Sequence, residues 1–139
     1  MKAAALAVAL LALLGAAFWW LQRPPAGPIE PVWDKTACSA CAMHVGEPAF
    51  AAQWHAMDGS VHYFDDPGCL LLYWREAKEE PRDAWFHHHR QERWIPADQT
   101  AFVRVDGSPM GFNLGAVGAT EGPADFDLTA ARRFAEELF

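Results

Sequence analysis

Cysteine is scarce in this chain: three residues in 139, at positions 38, 41 and 69. An odd number leaves one over from any set of paired disulfides. None precedes Cys38, so no acylated cysteine is available at the usual N-terminal place of a lipoprotein. Basic residues are also few, 11 against 18 acidic, for a formal net charge of −7. All the acidic residues lie beyond the N-terminal apolar run, while Lys2 and Arg23 flank it. An acidic domain lacks the charge that phosphate contacts require, which argues against nucleic acid as a partner. A basic protein face or a cation is the expected partner instead. No phosphate-binding glycine loop and no Ser-His-Asp arrangement stands out, so the chain does not read as an enzyme. Asp65 and Asp66 are adjacent carboxylates, but at a helix start capping and the helix dipole explain them better.

The longest uniform feature is a charge-free apolar run from Ala3 to Leu21, 19 residues. That length suits a hydrocarbon core of roughly 30 Å. Trp19 and Trp20 stand where an interfacial aromatic belt would lie. The reading is a signal anchor over residues 1–22, with a cleaved signal peptide as the alternative. Lys2 and the terminal amine favour an N-inside orientation, and Arg23 weakens the asymmetry. The domain beyond is expected to face the periplasm from the inner membrane. Residues 23–31 form a proline-rich, semi-rigid linker. Residues 32–139 then make one domain, large enough to bury a core without many disulfides.

Within that domain, "PAFAAQWHAMDGSVHYFDD" reads as a hairpin turning at Asp58-Gly59. "DPGCLLLYWREAKEE" reads as a helix with Asp66 as N-cap and Pro67 at the first position. "DAWFHHH" and "TAFVRV" read as strands, and "RQERWIPADQ" starts with a turn. "SPMGFNLGAVGATEG" is glycine-rich and partly extended. "PADFDLTAARRFAEELF" closes as an amphipathic helix with Phe126, Leu128, Ala131, Phe134, Ala135 and Leu138 on its apolar side, capped by Asp127 or Thr129. The order suggests an α+β fold of two β-β-α units packed as one small domain.

The chemistry centres on "TACSACAMHVG", Thr36 to Gly46. A redox Cys-x-x-Cys normally follows a strand and opens a helix. This one follows a linker and leads to Gly46 and Pro48. A Cys38–Cys41 disulfide is the simplest alternative, and its small loop would stabilise little. Structural zinc takes four ligands, and neither a second Cys-x-x-Cys nor a His-x₃-His is present. In "HHH" only His87 and His89 share a strand face, and such a run is more often a solvated hairpin end. Cu(I) is soft, is selected by thiolates and thioethers, and is content with two or three of them. Cys41 and Met43, two apart, share a face on an extended segment. His44 points the other way unless the backbone turns. Met110 lies in a Pro/Gly loop, away from an obvious core position. Cys69 opens an apolar helical run and reads as a buried thiol.

Taken in order, "CSACAMHV", "FAAQ", "GSVHYFDDPG", Trp94–Ala97 and "SPMG" resemble the NosL family, over about Cys38 to Gly115. Members are membrane-attached copper chaperones that serve the maturation of nitrous oxide reductase. The resemblance implies two β-β-α(-β) units and Cu(I) held by cysteine, methionine and some histidine. Carried across, the ligands fall on Cys41, Met43 and Met110, with Cys38 and His44 as further candidates. It implies a copper-accepting protein or transporter complex as partner. Ala42 stands where the family has glycine, and Phe112 follows the Pro-Met-Gly loop where another glycine is common. A thiol–disulfide redox protein using Cys38 and Cys41 remains the alternative.

Overall fold

The computed structural model describes the backbone of residues 2–23 and 26–138, with side chains from residue 6 onward. The Lys2 side chain and the linker residues Pro24 and Pro25 lie outside the described residues. The fold is α+β: two antiparallel sheets with three helices among the described residues.

The Asp58-Gly59 turn forms because Ser60 donates from both its backbone N–H (2.8 Å) and its hydroxyl (2.7 Å) to Asp58 Oδ1. It joins β1 (Ala52–His55) to β2 (Val61–Phe64), with Trp54 opposite His62. Helix α2 (Pro67–Glu76) then returns the chain to β3 (Asp83–His87), which pairs with the other side of β1. A short β4 (Trp94–Pro96) extends the sheet to the order β2-β1-β3-β4. Three residues leave no periodicity to read, so β4 is not marked by the hydrophobic pattern of the sequence.

In the second sheet, β5 (Thr100–Arg104) lies between β6 (Leu114–Gly118) and β7 (Phe126–Asp127). Helix α3 (Leu128–Leu138) follows at once, with Asp127 Oδ1 accepting from Ala130 N at 2.7 Å. Phe126 therefore belongs to a strand, where the sequence pattern put it on the helix. It stacks on Phe134 of α3 at 4.9 Å between centroids. Leu138, assigned to the apolar face, is exposed. Phe86 of the first sheet meets Phe102 of the second edge to face at 5.0 Å, so one core is shared.

The end of the 23–31 linker is pinned to the first sheet. The buried Gln53 amide takes Ile29 from both sides: its oxygen accepts Ile29 N–H and its nitrogen donates to Ile29 C=O, each at 2.9 Å. His55, fully buried, donates from Nε2 to the same Gln53 oxygen, and its Nδ1 faces Arg82 Nη2 at 3.1 Å. Guanidinium only donates, so Nδ1 must be the bare acceptor and the ring is neutral.

The histidine triplet is not solvated. His87 and His88 are buried, and His88 accepts Arg90 N–H on Nδ1 and donates from Nε2 to Glu121, which also pairs with Arg93. His89 packs its ring on Phe50.

Helix α1 (Lys2–Leu21) precedes all of this, and its side chains from Leu6 to Leu21 are exposed. Among the described residues, no helix is long and apolar enough to cross a membrane. The N-terminal span read from the sequence therefore has no structural support.

Burial, reinforced by Arg82, holds the His55 pKa below the ordinary 6.5. Burial lowers His87 and His89 as well. Below about pH 6.5 the unfolded chain takes up protons that these histidines refuse in the folded chain, so their contribution to stability is full above that pH and declines as pH falls. We expect thermal midpoints to drop steadily from pH 7 to pH 5, with each histidine contributing at most about 1.4 kcal/mol per pH unit. His55→Gln should flatten this slope, whatever its absolute stability. A pH-independent midpoint would contradict the assignment.

Candidate metal centre

The segment around Cys38 is a tight hairpin without regular strands. An isolated bridge pairs Ala37 with His44, and Cys38 N–H donates to Met43 C=O at 2.7 Å. The turn closes when Ala42 N–H donates to Cys38 C=O at 3.0 Å. Closure puts Ala42 at φ 63°, in the left-handed region that glycine enters without a Cβ penalty. A glycine would sit here without that penalty, and this chain bears the strain of an alanine. Ser39 N–H ties the hairpin to Tyr63 C=O of β2 at 2.8 Å, and Asp65 Oδ1 accepts Gly46 N–H at 3.1 Å.

Cys69 arrives from a different direction. Asp66 caps α2 by accepting Gly68 N–H at 2.9 Å, and Pro67 fills the first helical position as the sequence suggested. Cys69 is therefore in the first turn, facing the hairpin. One sulfur from each of Cys38, Cys41 and Cys69 lies within 4.8 Å of the other two, and all three cysteines are free. Cys38 and Cys69 are each only 3% exposed, whereas Cys41 is partly exposed.

The three sulfurs are electrically unequal. The Cys69 S–H donates to Cys38 and is the largest influence lowering the Cys38 pKa to about 5. Burial opposes this, and the backbone N–H groups of Cys41, Asp65 and Ala40 add to it; that of Cys41 lies 3.5 Å from the sulfur. Cys69 is pushed far up for the complementary reason, since losing its proton would set two thiolates side by side in a buried site. Burial raises Cys41 as well. These shifts favour the thiolate at Cys38 and the thiol at Cys69 and Cys41. A soft cation that replaces the two thiol protons would turn mutual repulsion into shared attraction.

Of the residues singled out from the sequence, Cys38 and Cys41 are in this cluster. Met43 and His44 sit on the hairpin's return arm, both exposed, and His44 is outside the sulfur group. Met110 is half-buried and packs against the core. Its backbone N–H donates at 3.1 Å to Asp66 Oδ2, which also accepts the Ser108 hydroxyl at 2.6 Å. The Met110 loop and the Cys69 helix therefore share one carboxylate. Phe112 seals the joint: a Cβ on Gly68 would fall 2.0 Å from its ring. Sequence reasoning missed Cys69, 28 residues beyond Cys41, because a cysteine in an apolar helical run reads as a small hydrophobe. The signal available was the capping pair Asp66-Pro67, which places residue 69 in the first turn.

Compared with known proteins, the chain matches no family model, no curated sequence and no solved structure.

Two substitutions check this architecture. Ala42→Gly should stabilise the fold by about 1 kcal/mol in chemical denaturation, because it removes the left-handed alanine. Gly68→Ala should cost about 1–3 kcal/mol by driving the new methyl group into Phe112.

Proposed function

We propose that this chain is an extracytoplasmic Cu(I)-binding protein that hands copper to a partner and is not an enzyme. The carrying observation is the convergence of the three cysteine sulfurs within 4.8 Å. Three soft ligands of this kind suit Cu(I), whereas structural zinc would want a fourth. Met43 and Met110 are the thioethers nearest in the chain and through Asp66, and they supply ligands that need no deprotonation. His44, exposed beside Met43, is the nitrogen donor in reserve. The order of motifs shared with the NosL family supports a recipient such as nitrous oxide reductase or another cuproenzyme, met through a basic face or within a transporter complex. An inner-membrane anchor holding the domain in the periplasm rests on the sequence pattern alone, the charge-free run from Ala3 to Leu21 with its terminal tryptophans, since no helix among the described residues is long and apolar enough to cross a membrane.

A second reading has its own observation. Cys38, three residues from Cys41, has its pKa lowered to about 5, which is the chemistry of a thiol–disulfide exchanger. Its near-complete burial weighs against it as an attacking nucleophile.

The test is an anaerobic Cu(I) titration of the reduced whole chain against a competing bicinchoninate chelator. We expect one ion per chain, with affinity falling at least about tenfold in Cys38→Ser and in Cys69→Ser, or ~1.4 kcal/mol each. A wild-type chain that fails to compete for Cu(I), yet exchanges disulfides in the absence of Cys69, would replace this reading with the redox one.

A further inference from the structure

The three sulfurs are held very differently, and the difference bears on how an ion would leave. Cys69 is fixed in the first turn of α2, and every residue from Asp65 to Leu71 is buried. Cys38 belongs to the same core cluster. Its backbone is bonded on both sides, N–H to Met43 and C=O from Ala42, and the next residue is tied to β2 through Ser39. Neither sulfur offers a path for a second protein. Cys41 lies on the tip of the turn, where Ser39, Ala40, Ala42, Met43 and His44 are all exposed. Its own N–H reaches only the Cys38 sulfur, at the long distance of 3.5 Å. A change of its side-chain rotamer would carry its sulfur outward at the loss of the Met43 N–H bond to that sulfur, leaving the backbone-to-backbone bonds of the hairpin intact.

We propose that the three thiols divide the work of transfer: Cys38 and Cys69 retain the ion, and Cys41 is the exchanging ligand through which a thiol-bearing acceptor takes it. This rests on the Cu(I) reading above. The acceptor sulfur enters on the exposed side and bonds to Cu(I) before Cys41 departs. The Cu–S bond to Cys41 then breaks, and the proton of the acceptor thiol passes to the Cys41 sulfur. A second acceptor thiol completes the transfer: it bonds to Cu(I), the bonds to Cys69 and Cys38 break, its proton passes to the Cys69 sulfur, and Cys38 is left as the thiolate. Copper stays Cu(I) throughout, so no oxidant or reductant is needed. Retention by two buried sulfurs keeps the ion from water until the acceptor is in place. Exposed Met43, two residues on, offers a neutral sulfur beside the entry route.

Two measurements test the division. In the first, the reduced apo wild-type chain meets less than one equivalent of iodoacetamide, and the labelled sites are mapped by mass spectrometry. Access should outweigh thiolate character, so Cys41 should be labelled at least about tenfold ahead of both others. Earlier labelling of Cys38 or Cys69 would overturn the proposal without touching the Cu(I) reading. In the second, Cu(I)-loaded variants are compared in competition with bicinchoninate and in transfer to glutathione. Cys41→Ser should cost no more than about tenfold in affinity and should release copper faster, while Cys69→Ser should cost at least about a hundredfold. Binding by the wild type with equal losses in both variants would sink the division alone. No binding by the wild type would remove the parent reading and this one together. The alkylation order uses only wild-type protein, so a variant that fails to fold leaves the idea exposed to refutation.

Discussion

The Asp66 carboxylate is where the two halves of the domain are joined. It is fully buried, and burial raises its pKa, while donors from Ser108, Gly68 and Met110 pull the other way. One oxygen starts α2, and the other holds the loop between β5 and β6. Both elements bear on the centre, because α2 carries Cys69 and the loop carries Met110. A buried carboxylate is tolerated only when its lone pairs are satisfied, so the donors must be in place together. The helix start, the loop and the ring of Phe112 over Gly68 therefore behave as one unit.

The sulfur centre follows from that unit and from the hairpin opposite. Neither half makes a site alone. The hairpin brings two cysteines on one short turn, and the helix brings the third with its proton. The thiol of Cys69 lets Cys38 hold a negative charge in a buried place. The same juxtaposition of three sulfurs could hold a metal ion.

Local features were the legible part of the sequence. Asp58-Gly59 marked its hairpin, and Asp66-Pro67 marked the start of α2, since both depend on neighbours two or three residues away. The α+β class followed from the spacing of such signals. The failures share a cause. Phe126 lies on a two-residue strand that runs directly into α3, so strand and helix patterns overlap. His87 and His88 read as solvent-facing, yet Glu121, Arg90 and the aromatic ring of Trp94 draw them inside through contacts no periodicity encodes. Cys69 was seen as buried but not as a member of the centre, because its partners come from the far side of a hairpin. The sequence pattern joins Cys38 and Cys41 to the methionines, while the geometry joins them to Cys69.

The bond from Ser39 N–H to Tyr63 C=O has a consequence of another kind. β2 is the outermost strand of its sheet, and an outer strand with free carbonyls is a template on which further chains can add. The sulfur-bearing hairpin caps that rim at Tyr63. Order in the hairpin and colloidal good behaviour are thereby linked. A copy whose turn has been damaged by oxidation would uncover a sticky border as well as lose its ligands, and would betray itself by self-association.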